Sequence, residues 1–158
     1  MTALRVGILG AGTAAEGHAT AYHRLRDVRV VGIWNRSRGR AEALASQLEH
    51  EPRLYDRWQD MISDDRIDVI SIATAPLLRS EPLRFAVDHG RHVLVEKPIS
   101  IGVLEAADMV AAGKIDRRDG GVLQLRCALE PVGLQRFDQR TTPGIGGCLL
   151  RRGTPQSR

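Results

Sequence analysis

Apolar residues in this chain gather into short dense runs, separated by longer stretches in which they recur every three or four positions. Leu4–Leu9 is one run and ends at a glycine; Val28–Trp34, Asp68–Ala73 and His92–Val95 are three more, and Val122–Cys127 reads as a further strand. Nearly continuous Val, Ile and Leu suits strands buried on both faces, as in a parallel sheet. Between the runs, Ala14–Arg26, Arg38–Glu49, Leu77–His89 and Gly102–Ala112 read as helices by spacing. In the last of these, Val103, Ala106, Ala107 and Val110 mark one face. Strands that alternate with helices are joined by right-handed crossovers, so the pattern predicts an α/β fold with a doubly wound parallel sheet and helices on both faces.

Composition narrows the picture without changing it. A chain of 158 residues suffices for one domain with an ordinary core, and 42% hydrophobic with 27% charged residues is a globular mix. The domain is expected over 1–127, with 128–158 an irregular basic tail. No apolar run approaches the roughly 20 residues needed to cross a bilayer, so no membrane partner is expected. The opening Met-Thr-Ala-Leu-Arg carries no secretion signal, and Cys127 and Cys148 form no metal-binding pattern. Both features point to a cytoplasmic setting and to no metal. The net charge of +4 does not point to nucleic acid, because of where it sits. Residues 1–113 hold 14 basic and 15 acidic side chains, and residues 114–158 hold 9 and 4. The excess lies wholly in the last third, where a single aromatic residue, Phe137, makes no interleaved pattern for base stacking.

Candidate chemistry begins at the first strand–helix turn. Gly10-Ala11-Gly12-Thr13-Ala14-Ala15 is G-x-G-x-x-A, directly after a strand and at the mouth of a helix. The first glycine permits the tight turn, and the second lets backbone approach a pyrophosphate. The small third residue lets helix and strand pack closely. The helix N-terminus then offers N–H groups to the phosphates. Together these predict a dinucleotide-binding, Rossmann-type domain. The end of the second strand speaks to the kind of dinucleotide. Where an acidic residue takes the ribose hydroxyls of NAD, this chain has Asn35-Arg36-Ser37, with Arg38 and Arg40 close behind. Asn35 lacks the charge that would repel a 2′-phosphate, and arginine makes paired, charge-assisted bonds to phosphate. NADP is the expected cofactor, with NAD the alternative.

Three segments carry a family resemblance. Val6-Gly7-Ile8-Leu9-Gly10-Ala11-Gly12 with His18, Asp68-Val69-Ile70-Ser71-Ile72-Ala73-Thr74 with Pro76, and Gly90-Arg91-His92-Val93-Leu94-Val95-Glu96-Lys97-Pro98 together resemble the glucose–fructose oxidoreductase/inositol dehydrogenase (Gfo/Idh/MocA) family. The resemblance covers roughly residues 4–112. It implies that Ala73, Thr74 and Pro76 line the nicotinamide–ribose region and that Glu96 and Lys97 reach the nicotinamide and a substrate hydroxyl. It also implies oxidation or reduction at a CH–OH group of a small sugar or cyclitol. Lys97 is one of only two lysines. Unlike arginine, a lysine can give up its proton, so it is the candidate catalytic residue. Glu96 has a second reading, as an ion-pair partner on the same rim. His18 is expected near the cofactor, His23, His50 and His89 at the surface, and His92 without a role.

Departures from the family pattern are as informative. The family usually has proline where Ala75 stands and histidine where Arg79 stands. Its members are expected to be about twice as long, with a second, open-sheet domain that supplies further catalytic residues and the subunit interface. After Cys127 only Arg126 and Pro131, and weakly Gly144–Gly147, echo that pattern. A truncated or frame-shifted second domain is therefore expected, with a genuine short tail the alternative; cofactor binding but no enzymatic turnover is expected of this chain alone, and an oligomer only if another chain supplies the sheet. A methyltransferase also has a glycine-rich first turn, but Glu96-Lys97-Pro98 and the arginines after the second strand favour a phosphorylated dinucleotide. A non-catalytic NADP-binding or partner-dependent module is the remaining alternative.

Overall fold

The computed structural model describes residues 3–112 and, as backbone, 114–116, 123–126, 134–135 and 151–152. Five parallel strands form its centre: Leu4–Leu9 (β1), Val28–Trp34 (β2), Arg53–Leu54 (β3), Val69–Ile72 (β4) and His92–Val95 (β5). Lys114–Asp116 (β6) and Leu123–Arg126 (β7) continue the sheet past β5 as antiparallel strands. The order is β3-β2-β1-β4-β5-β7-β6, and the short strands Leu134–Gln135 (β8) and Arg151–Arg152 (β9) pair separately. The helices are Thr13–His23 (α1), Arg38–Ala45 (α2), Trp58–Ser63 (α3), Ser80–Asp88 (α4) and Val103–Ala112 (α5).

Alternation along the strands divides the core into two layers. Ile70, Ile72, Val93 and Val95 pack with Met61 and Ile62 of α3, Leu83 and Ala86 of α4, and Met109 of α5. Val6, Ile8, Val30, Ile33 and Leu94 pack on the other face with Ala15, Ala19 and Tyr22 of α1 and with Ala41 and Leu44 of α2. Val93 and Val95 thus face one layer and Leu94 the other, which is why that run reads as continuously apolar. Truncating one of the fully buried residues to alanine (Ile70, Ile72 or Leu83) costs about 2–5 kcal/mol, because the rigid sheet collapses only partly onto the void. The α1 face is built mostly from alanine, so this helix lies close to β1 and β2 and brings its first turn against the end of β1.

Several elements differ from the sequence expectation, each for a local reason. α1 stops at His23 and not Arg26, because Arg24 and Leu25 donate to Ala21 and Tyr22 across three residues and tighten the last turn. α2 likewise ends at Ala45, and Gln47 and Leu48 bond three residues back. The expected helix Leu77–His89 divides into a 3₁₀ turn, Pro76–Leu78, and α4. Pro82 has no N–H to give, so it belongs in a first turn and not inside a longer helix. β3 and α3 were not expected: two strand residues and six helical ones are too short to display a period. Val122–Cys127 is matched by β7, which runs antiparallel to β5. The expected tail, 128–158, lies outside the described residues apart from β8 and β9.

The sheet order places the site. β1 continues through α1 to β2 on one side and has β4 on the other, so connections diverge at the carboxyl ends of β1 and β4 and leave a crevice there.

Candidate functional site

The turn after β1 enters this crevice. Gly10 has φ +110, and a Cβ on it would stand 2.8 Å from the Ala73 carbonyl oxygen and 3.0 Å from its carbon. Backbone after β4 thus leaves no room for a side chain, and φ in this range is one that L-residues rarely adopt. The second glycine has a different logic. Gly12 has φ −104 and ψ −174, ordinary extended backbone, and a Cβ there would meet nothing within 4 Å. Among the described residues nothing packs where that Cβ would stand, so the backbone at position 12 is open to a group approaching from outside. Gly12 is also the N-cap of α1, with no side chain capping the helix. The first-turn N–H groups of Thr13, Ala14 and Ala15 have no partner within the helix. Thr13 and Ala14 are exposed, whereas Ala15 and Ala11 are buried, Ala15 completely, as the close packing of α1 on β1 requires.

At the end of β2 the arginines separate by engagement. Arg38 donates to Glu42 at 3.2 Å and to Asp56 at 2.7 Å, so its charge is already matched within the fold. Arg36 and Arg40 are exposed and make no ion pair among the described residues. Asn35 donates its amide to the Ser37 carbonyl at 2.9 Å, which holds the bend into α2, and Ser37 is the exposed N-cap of that helix. Two guanidinium groups therefore stand unmatched beside an ordered turn.

At the ends of β4 and β5 the side chains are spent on one another. His18, on the buried face of α1 at 5% exposure, bonds Ser71 Oγ through Nδ1 and Glu96 Oε1 through Nε2, both at 2.8 Å. Tyr22, one turn further along α1, donates its hydroxyl to Ser71 Oγ at 3.1 Å. One assignment of hydrogens gives each a single acceptor: Tyr22 to Ser71, Ser71 to His18 Nδ1, and His18 Nε2–H to the Glu96 carboxylate. Burial pushes the Tyr22 hydroxyl well above its ordinary pKa, with Ser71 opposing and Glu96 adding to the rise, so it stays a donor. The second carboxylate oxygen of Glu96 accepts the backbone N–H of Lys97 at 3.1 Å. The carboxylate is thus held at both oxygens, and the Lys97 side chain projects from it into solvent.

Arg79 completes this side. It is 4% exposed, donating from Nε to the Thr74 carbonyl at 2.8 Å and from Nη1 to the carbonyls of Glu96 and Pro98. Desolvation lowers its pKa, and the field of Glu96 partly restores it. Ala73 anchors the same loop by donating to Leu9, and Pro76 opens the 3₁₀ turn that follows.

The sequence-predicted residues therefore gather at one end of the sheet. Gly10–Ala15 and Ala73–Pro76 flank the crevice, Glu96 and Lys97 follow β5, and Asn35–Arg40 follow β2. On the same rim, Glu96 bonds His18 through Oε1 and the Lys97 amide through Oε2. His23 and His50 are exposed, bonded to Glu49 and Arg29, and His89 stacks on Phe85. Ser71, Tyr22 and Arg79 did not stand out as site residues. The only sequence signal for any of them was that Arg79 departs from the family pattern. No group of three metal-ligating side chains occurs among the described residues, and no described helix is long and apolar enough to cross a membrane.

Comparison with known proteins agrees with this geometry. Residues 4–118 match the model for "Oxidoreductase family, NAD-binding Rossmann fold". Inositol 2-dehydrogenase 2 of Mycolicibacterium vanbaalenii is 30% identical over 140 residues, 87% of this chain and 38% of that protein. The scyllo-inositol 2-dehydrogenase (NADP(+)) IolU of Bacillus subtilis is 26% identical over 111 residues, 70% of this chain and 34% of that protein. Among solved structures, biliverdin reductase from Synechocystis in complex with biliverdin and NADP+ superposes with a TM-score of 0.64 at 28% identity. That match covers 69% of this chain and 34% of that one. The matched part of the chain spans about a third of the length of these relatives, which are about twice as long as this chain, as expected.

Proposed function

The chain belongs to the oxidoreductase family with an NAD-binding Rossmann fold, and from that premise we propose that residues 4–112 bind NADP in preference to NAD and serve a dehydrogenase acting on a CH–OH group of a sugar or cyclitol. The observation that carries the proposal is Gly12, a glycine open to approach among the described residues, at the uncapped mouth of α1. Gly10, Ala11 and Gly12 with the N–H groups of Thr13, Ala14 and Ala15 would hold the pyrophosphate. Arg36 and Arg40, with Ser37 and Asn35 beside them, would hold the 2′-phosphate. Ala73, Thr74, Pro76 and Glu96 would border the nicotinamide end. The relatives named above include two inositol dehydrogenases, one of them named for NADP(+), which supports both the cofactor and the substrate class.

When bound, the cofactor supplies hydride transfer. The chain's own part in the chemistry is positional and protonic. The Lys97 amine, projecting at the rim, would hold the substrate hydroxyl and move its proton, a role worth roughly 10²–10⁴-fold in rate. Glu96, fixed by His18, sets where Lys97 leaves the sheet. Leu77, Leu78, Ile101, Val103 and Leu104 are exposed on the segments after β4 and β5, which suits a site completed by further apolar surface at that end.

Calorimetric titration with NADPH and NADH tests the cofactor reading; binding of neither overturns it. A nicotinamide absorbance assay with a panel of cyclitols and sugars tests the reaction. Turnover unaffected by Lys97→Met would remove that residue from its assigned role.

A further inference from the structure

We infer that Arg79 is the positioning residue of the Lys97 segment: its buried guanidinium ties the loop after β4 to the carbonyls on both sides of Lys97, so that a dinucleotide seated against the first loop also fixes the second. The inference rests on the proposed function, which puts the nicotinamide between these loops.

The argument starts from cost. A buried cation is expensive unless it is paired and hydrogen-bonded. Arg79 makes no ion pair among the described residues, yet it is 4% exposed. What it has is three carbonyl oxygens: Thr74, five residues back, and Glu96 and Pro98, seventeen and nineteen residues on. Without Arg79 these carbonyls would lose a charge-assisted donor, and the two loops would lose their side-chain link. The geometry also needs the guanidinium shape. Nε faces one loop and Nη1 faces the other, so the rigid fork bridges two separate segments, whereas an ammonium group concentrates its donors on one atom. Lys97 is bracketed in the bargain, because one nitrogen holds the carbonyl before it and the carbonyl after it. Glu96 is fixed a second time through His18, so Arg79 governs the backbone of this segment and His18 its carboxylate.

The test compares two ligands on the full 158-residue chain. NADPH spans both halves of the crevice; 2′-phospho-ADP-ribose carries the same phosphates and lacks the nicotinamide. In the wild type NADPH binds more tightly. In Arg79→Gln the NADPH affinity falls about tenfold, and the 2′-phospho-ADP-ribose affinity stays within about twofold. A merely structural role would weaken both ligands alike, and that result overturns the inference. So does an unchanged NADPH affinity, or a wild type that binds both ligands equally. Should Arg79→Gln fail to fold, Arg79→Lys decides: it keeps the cation without the fork, and the same selective loss is expected, smaller in size. A wild type that binds neither ligand overturns the proposed function itself, and the inference falls with it.

Discussion

Beside the turn after β1 the protein offers backbone and unmatched charge; at the ends of β4 and β5 it offers side chains already bonded to one another. On the first side, among the described residues, Gly12 faces open space, the first turn of α1 has no side-chain cap, and Arg36 and Arg40 pair with no carboxylate. On the second, Glu96 is held by His18 and by the Lys97 amide, and Arg79 holds three carbonyls. The difference follows from what each side would handle. Phosphates bring their own charge and acceptors, so the surface that receives them is left unsatisfied. A reacting carbon needs a group held in one place, so the surface around Lys97 is satisfied in advance and leaves only the lysine free to respond.

The sharpest way to break this contrast is Gly12→Asp. It puts a carboxylate where the pyrophosphate would lie, on a Cβ that meets nothing within 4 Å and at an N-cap position that tolerates aspartate. NADPH affinity is expected to fall about a thousandfold with an unchanged melting temperature, and calorimetry with a thermal melt measures both. An unchanged affinity would move the site elsewhere.

His18→Ala should do the reverse. It strips Glu96 and buried Ser71 of their shared partner and costs about 3 kcal/mol of stability by urea denaturation, with 2′-phospho-ADP-ribose binding retained in the folded protein. A stability loss below the noise would show that the network is ornamental.

Asp64→Asn is the control outside both sides of the crevice. The Arg66 guanidinium, with the Tyr55 hydroxyl, holds the Asp64 carboxyl below its ordinary 3.8, although burial opposes the shift, while Tyr55 is pushed up to about 12. A depressed carboxyl contributes stability above its unfolded-state pKa and loses it as pH falls through the folded-state value. The variant is expected to lose about 2 kcal/mol at pH 7 and to converge on the wild type in acid, with neither ligand affinity altered. A gap that persists in strong acid would mean the loss is one of packing and not of charge.

The smallest effect is cofactor choice. NADPH should bind about tenfold more tightly than NADH, a difference that added salt narrows, because Arg36 and Arg40 are exposed. Arg36→Ala with Arg40→Ala should erase it, and Arg38→Ala should not, since Arg38 is already paired with Glu42 and Asp56.

The phosphate side was legible in the sequence because its logic is local. G-x-G-x-x-A needs only the strand before it and the helix after it, and Asn35-Arg36 follows the next strand at once. The two-sided burial of β1, β2, β4 and β5 is likewise written in consecutive residues. β3 and α3 escaped notice because their side chains are ordered by what they pack against, as Met61 and Ile62 are beneath the sheet. Among the arginines after β2, the sequence could not separate Arg36 and Arg40 from Arg38. That sorting depends on Asp56, eighteen residues away.

By itself, then, the sequence determined the parallel sheet, the glycine turn and the set of residues that gather at one end, because period and motif act over neighbouring positions. Only the tertiary structure decided how Glu96 and Lys97 are held. His18 reaches Ser71 and Glu96 across 53 and 78 residues, and Arg79 reaches back to Thr74 and forward to Glu96 and Pro98. A buried polar group takes whichever partner the packed strands bring within about 3 Å, and that distance is set by the fold and not by spacing along the chain.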